Sequence, residues 1–109
     1  MSTISTHVLD TSLGKPAQGV RVTLARDDSP IGSGVTDEDG RVRELMQGGS
    51  SLAEGEYKLT FAVGDYFTSS KRSSFYNHII IEFQIEGGSQ HYHVPLLVSP
   101  FGYSTYRGS

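Results

Sequence analysis

Apolar residues recur at every second position over most of this chain, the period of a β-strand with one buried face. Ile4, Thr6 and Val8 share one face of a first predicted strand, with Ser5, His7 and Leu9 on the other. The segment from Asp10 to Pro16 is rich in turn formers. Val20, Val22 and Leu24 alternate in a second strand, which Asp27-Asp28-Ser29-Pro30 ends. Ile31 to Thr36 reads as a short third strand, loosened by Gly32 and Gly34. Asp37-Glu38-Asp39-Gly40 is a tight turn, where glycine takes positive φ at no steric cost. Arg41 to Leu45 leaves that turn as a short strand, and residues 47–56 read as a loop. Tyr57, Leu59, Phe61 and Val63 alternate again. Asp65 is placed to N-cap the one predicted helix, running to about Ser70.

Beyond an irregular connection, Ile79, Ile81, Phe83 and Ile85 form the clearest strand pattern. Glu86 to Ser89 reads as a hairpin-like loop, and Gln90 to Val98 as the returning strand. In it Tyr92, Val94 and Leu96 face one way and His91, His93 and Pro95 the other. Pro95 has no N–H to give a ladder, so it is expected at an edge or a bulge. Ser99 to Gly102 turns the chain, and Tyr103 to Ser109 is a last short strand or tail. The pattern predicts an all-β protein, a sandwich of seven to eight strands with one short helix, with a closed barrel as the alternative.

The length, 109 residues, fits a single domain spanning 1–109. Hydrophobic content of 36% with 19% charged residues places the chain among globular proteins. A net charge of -3 argues against nucleic acid as a partner, because few phosphates could be neutralised. The chain has no Cys, which excludes disulfides, thiolate metal sites and a Cys nucleophile together. The N-terminus lacks the basic start and apolar run of a signal peptide, and no apolar stretch is long enough for a membrane span. A cytoplasmic location, with no membrane partner, is the expectation.

Candidate chemistry rests on His7, His78, His91 and His93. His91 and His93, at i and i+2, project from the same strand face, as two metal ligands would. A zinc site needs a third protein ligand, which His7 could supply only if the first strand lay beside this one. The other use of imidazole is acid–base work near neutral pH. Arg41 could then stabilise a developing oxyanion, since a guanidinium stays charged. The competing view of Arg41 is a solvated residue after a turn. No serine has nucleophile-elbow context, and no phosphate-binding glycine loop is present.

The two ends of the chain carry a resemblance. The run from His91 through Val94-Pro95-Leu96-Leu97 to Tyr106-Arg107-Gly108-Ser109 closely resembles the closing signature of the 5-hydroxyisourate hydrolases. Ser5-Thr6-His7-Val8-Leu9-Asp10 through Ala17 resembles that family's opening signature. Thr36-Asp37-Glu38-Asp39-Gly40-Arg41 is similar to its central turn, and Gly55-Glu56-Tyr57-Lys58-Leu59-Thr60-Phe61 to its middle strand. The terminal Tyr-Arg-Gly-Ser is the part that separates the hydrolases from transthyretin, the hormone carrier that shares their fold.

The resemblance implies a transthyretin-like β-sandwich and hydrolysis of 5-hydroxyisourate to 2-oxo-4-hydroxy-4-carboxy-5-ureidoimidazoline in urate breakdown. It implies His7, Arg41 and His93 as catalytic residues, with His7, Arg41, Tyr106 and Ser109 contacting the substrate. His91 enters as a supporting residue, and Arg107 to Ser109 would help close the pocket. It implies no metal and no cofactor, and a homotetramer built as a dimer of dimers with sites in the channel between dimers. Two places differ from the family pattern: Phe75-Tyr76-Asn77-His78, where relatives more often have an aromatic pair followed by proline, and Val42 after Arg41. The rival readings are a small-ligand carrier, a structural domain of the carboxypeptidase-regulatory or adhesin type, and a metal hydrolase built on His91 and His93. A chain that runs from Met1 to the closing signature is expected to be complete, which weighs against the structural-domain reading.

Overall fold

A computed structural model describes residues 2–42, 45–46 and 52–108. It contains a five-stranded and a four-stranded sheet packed face to face. One sheet has the order β2 (Lys15–Pro16), β1 (Thr3–Asp10), β8 (His91–Ser99), β9 (Gly102–Thr105), and β5 (Arg41–Val42) also pairs with β1. The other has the order β4 (Ser29–Val35), β3 (Arg21–Arg26), β6 (Gly55–Phe61), β7 (Ile79–Ile85). Helix α1, Val63–Ser69, follows β6. The predicted sandwich is therefore the observed architecture, with the two-residue β2 added inside the segment expected to be a turn.

The period-two residues form the core. Val8, Val22, Leu24, Leu59, Phe61 and Leu96 have no exposed surface. They come from both sheets, as expected where each strand buries alternate side chains against the opposite layer. Truncating any of them to alanine would cost roughly 2–5 kcal/mol, from lost burial and the cavity left behind.

Several local expectations are corrected. Glu86 to Ser89 is not a hairpin turn: β7 and β8 belong to different sheets, so this segment carries the chain from one layer to the other. Pro95 lies in β8, an interior strand flanked by β1 and β9. The missing N–H is accommodated because β9 pairing stops at Leu96 opposite Thr105 and resumes only at His93 opposite Gly108. Asp65 does not cap the helix. Ala62 stands at the N-cap with no side-chain hydrogen bond, and Asp65 sits in the first turn, where its charge favours the helix dipole. The turn between β3 and β4 is tighter than predicted, with Asp27 and Asp28 at φ 49° and 65°, so Ser29 and Pro30 join β4. The predicted strand from Arg41 to Leu45 is observed for Arg41–Val42; residues 43–44 lie outside the described residues. Among the described residues no helix is long and apolar enough to cross a membrane.

One buried polar cluster ties β1 to the helix. Asp10 is fully buried, and its carboxylate accepts hydrogen bonds from Arg72 Nη2 at 2.8 Å, from Tyr66 Oη at 2.7 Å and from Ser12. Arg72 also lies over the Tyr66 and Phe67 rings. Burial alone would raise the Asp10 pKa, but the Arg72, Ser12 and Tyr66 hydrogen bonds outweigh it and hold the carboxyl at about 2, against an ordinary 3.8. A depressed carboxyl stabilises the fold above its unfolded pKa, and that contribution is lost as pH falls through the folded value. Denaturant unfolding at fixed protein concentration is therefore expected to show a loss of about 2 kcal/mol between pH 4 and pH 2. Asp10→Asn should be less stable at pH 7 and should lack most of that acid-limb loss.

Candidate active site

The outer face of the β1–β8 sheet carries the candidate residues in transverse rows. β1 and β8 run parallel, with Thr3 opposite His91, Ser5 opposite His93 and His7 opposite Pro95. On the other side of β1, His7 is opposite Arg41. One row thus reads Arg41, His7, Pro95. The β8–β9 register, with Leu96 opposite Thr105 and His93 opposite Gly108, brings Tyr106 to the far end of that row. The adjacent row is Ser5, His93, Gly108, and the next is Thr3, His91. His7, Arg41 and His93, separated by 34 and 52 positions in the sequence, are brought together by these two pairings. His7 and His93 are diagonal neighbours, with Cα atoms roughly 8 Å apart from the ~4.8 Å strand spacing and ~3.3 Å rise.

Arg41 is delivered by the turn before it. Asp37 accepts hydrogen bonds on its side chain from the Asp39 and Arg41 backbone N–H groups, at 2.9 and 3.1 Å. The Gly40 carbonyl accepts from Val8 N–H at 2.7 Å, locking the turn to β1. Gly40 has φ 77°, and a Cβ there would lie 2.3 Å from the Val8 carbonyl oxygen, so only glycine fits. Behind the turn, buried Thr36 donates to the Ala17 carbonyl at 2.6 Å and accepts from Val20 N–H at 2.8 Å.

The imidazoles are individually oriented. His7 Nε2 lies 2.7 Å from the Asp39 carbonyl oxygen. A carbonyl only accepts, so Nε2 carries the proton, and the lone pair of the neutral ring is on Nδ1. His93 Nδ1 lies 2.8 Å from Ser5 Oγ. His93 is half-buried, and its pKa is lowered from the ordinary 6.5 by burial first, then by the positive charges of Arg41, His7 and His91. It is therefore neutral at pH 7.

The C-terminal tail lies directly on His93. Gly108 N–H donates to the His93 carbonyl at 2.8 Å, and a Cβ on Gly108 would come within 2.6 Å of His93 Cδ2. Arg107 places its guanidinium 4.5 Å from the Tyr92 ring centroid and donates to Gln90 Oε1 at 2.7 Å. Both partners hold the tail against β8. Tyr106 is exposed and borders a cleft of about 250 Å³ at the open end of the sandwich, together with Ile81, Phe83, Tyr92 and Val94. That cleft lies between the sheets, behind β8, and not on the imidazole face. Ser109 lies outside the described residues.

The first strand does lie beside the His91–His93 strand, the condition for His7 to join a metal set. Yet His7 sits one row away, and among the described residues no three His, Asp or Glu side chains converge as metal ligands. His78 is exposed in the connection before β7 and stands apart from this face in the strand register. Ser5 and Thr3, which hold His91 and His93, were not singled out by sequence reasoning as site residues. Their position two and four residues before His7 on the same face was the available clue.

Residues 4–108 match the model of the HIUase/Transthyretin family. The chain is 46% identical to the 5-hydroxyisourate hydrolase of Caulobacter vibrioides, an alignment covering the whole of both chains. The solved structure of Klebsiella pneumoniae 5-hydroxyisourate hydrolase superposes with a TM-score of 0.91 at 41% identity, covering 100% of this chain and 94% of that one. Sea bream transthyretin, solved in complex with thyroxine, superposes with a TM-score of 0.89 at 27% identity, covering 96% of this chain and 93% of that one. The same backbone thus serves proteins of both names, and this chain, with its imidazole rows on a transthyretin-like sandwich, belongs to the HIUase/Transthyretin family.

Proposed function

We propose that the chain is a single-domain 5-hydroxyisourate hydrolase, yielding 2-oxo-4-hydroxy-4-carboxy-5-ureidoimidazoline. The observation that carries this reading is the pair of oriented imidazoles beside a guanidinium on one exposed sheet face. The relatives named as 5-hydroxyisourate hydrolases place the chain with enzymes of this kind.

In this mechanism neutral His93 takes a proton from water on Nε2 as the water oxygen attacks the C6 carbonyl carbon. Arg41 faces the oxyanion that develops, an interaction stronger in the transition state than in the ground state. The proton held on His93 Nε2 then passes to N1 as the C6–N1 bond breaks, and His7 assists that departure with its Nε2–H held on the Asp39 carbonyl. His93 is thereby neutral again, and the proton of the new carboxyl group goes to solvent to close the cycle. Tyr106 and Ser109 complete the substrate contacts, and Gly108 keeps the tail close enough to His93 to cover the site. No metal or cofactor enters these steps.

We further infer a homotetramer, a dimer of dimers. Phe75, Phe101 and Leu13 are 74%, 71% and 50% exposed, an apolar rim suited to burial against another copy. Among the described residues β7 and β9 each end the strand order of their sheet, and both border one cleft through Ile81, Phe83 and Thr105, which suits strand pairing across a dimer axis. Sedimentation should give four times the 11.9 kDa chain mass.

Freshly generated 5-hydroxyisourate, followed by ultraviolet absorbance against its spontaneous decay and by circular dichroism of the product, tests the activity. Faster decay to an optically active product, unchanged by EDTA, is expected. A folded tetramer that leaves the decay at background would favour a small-ligand carrier instead. His7→Ala and His93→Ala should each lower kcat by roughly 100- to 10,000-fold, and Arg41→Ala by roughly 100- to 1,000-fold, with the fold retained. Gly108→Ala should lower kcat/KM by roughly 100-fold without lowering the melting temperature appreciably, because the new Cβ displaces the tail from His93.

The pH profile follows from the depressed His93 pKa. A base is active when deprotonated, so kcat/KM should rise with pH through a midpoint below 6.5. Arg41→Gln removes one of the repelling charges and should move that midpoint upward in the residual activity.

A further inference from the structure

The mechanism above leaves Thr3, Ser5 and His91 without a role, yet all three are joined to His93. Thr3 Oγ1 lies 2.6 Å from His91 Nδ1. Ser5 Oγ lies 2.8 Å from His91 Nε2 and 2.8 Å from His93 Nδ1. The parallel register sets this up, because Thr3 faces His91 and Ser5 faces His93 across the same pair of strands. The result is one continuous hydrogen-bonded line of four side chains.

Its physics is constrained by the serine. A hydroxyl has one proton to donate, so the two ring nitrogens facing Ser5 cannot both accept from it. If His93 Nδ1 is a lone pair, His91 Nε2 carries a proton, and the reverse. The protonation states of the two rings are therefore coupled through Ser5.

We propose that Thr3, His91, Ser5 and His93 form a proton relay, through which the charge His93 gains from the attacking water passes to His91. This rests on the hydrolase reading and extends it to positioning residues that do not touch the substrate. In the resting line His93 Nδ1–H donates to Ser5 Oγ, Ser5 O–H donates to His91 Nε2, and His91 Nδ1–H donates to Thr3 Oγ1. Water gives its proton to His93 Nε2 as the new C–O bond forms. The Nδ1 proton of His93 then moves to Ser5 Oγ while the Ser5 proton moves to His91 Nε2. His93 ends neutral with Nε2–H, accepting from Ser5, and His91 ends as an imidazolium donating to both Ser5 and Thr3. The count of protons and charge is conserved, and the reverse shift returns the proton to His93.

The direction of transfer has a cause. His93 is half-buried under Gly108, whereas His91 is exposed at the end of the line. The groups facing His93 are cations or potential cations: His7 from β1, Arg41 from β5 and His91 from β8. Arg107 of the tail is held away from them, over Tyr92 on the other face of β8. Moving charge to His91 carries it away from Arg41 and His7 and into solvent, which screens it.

The test compares Ser5→Ala, His91→Gln, the double variant and Ser5→Thr in the full-length assembled protein. Ser5→Ala and His91→Gln are each expected to lower kcat about tenfold or more, with KM within about twofold. The double variant should be no worse than the worse single, because both break the same line. Ser5→Thr, which keeps the hydroxyl, should restore most of the rate. Nitrogen-15 NMR of the wild-type imidazoles should show His93 Nδ1 and His91 Nε2 in opposite protonation states and titrating together, and Ser5→Ala should uncouple them. Wild-type kcat in Ser5→Ala, additive losses in the double variant, or independent titration in the wild type would each overturn the relay. The NMR arm needs no substrate, so it judges the line separately. Coupled rings in a wild-type protein that leaves 5-hydroxyisourate decay at background would overturn the hydrolase reading, and with it this use of the line.

Discussion

The parallel pairing of Thr3–Asp10 with His91–Ser99 is the contact on which the rest of this structure depends. It joins the two ends of the chain across the segment 11–90, in eight consecutive register pairs. Parallel neighbours cannot be linked by a tight turn, so everything between must fold around them. The intervening segment does so by building the second sheet and returning through Glu86 to Ser89. One face of the pair then belongs to the core through Val8, Val94 and Leu96. The other is left to carry His7, His91 and His93.

That division explains why polar chemistry can sit on a strand without weakening the fold. Alternation separates the two roles residue by residue, so imidazoles and core aliphatics occupy adjacent positions. A one-residue slip of β1 against β8 would turn His7 toward the core and Val8 out to solvent. The register is thus held by the hydrophobic term, and the site inherits that precision. The turn before Arg41 and the tail at Gly108 are then docked onto this frame by backbone hydrogen bonds to Val8 and His93.

Electrostatics follows the same geometry. The sheet face gathers Arg41, His7, His91 and His93, and burial together with the neighbouring positive charges lowers the pKa of His93. The opposite solution appears at Asp10, where a buried carboxylate is given a guanidinium, a phenol and a hydroxyl. The first arrangement leaves a base ready to accept a proton; the second removes any tendency to do so. Both Asp10 and His7 lie on β1, three residues apart, and differ in which face they occupy.

Period-two alternation in the sequence was enough to determine the strands, the core residues and the all-β class, because burial of one strand face is a local property of the pattern. The terminal signatures were enough to indicate the family, and the spacing of His91 and His93 to show that they share a face. Which strands pair was not legible, because pairing depends on contacts between residues far apart in sequence. The hairpin expected at Glu86 to Ser89 failed for that reason, and Pro95, expected at an edge or a bulge, lies in an interior strand where the pairing with β9 is interrupted. The role of Ser5 and Thr3 was equally hidden: two hydroxyl residues in a strand look like solvent-facing filler until β8 is laid beside them in parallel. Only the tertiary structure decided that Ser5 stands between two imidazoles, because the sequence specifies which side chains leave a strand on one face, and packing of distant segments specifies what they meet.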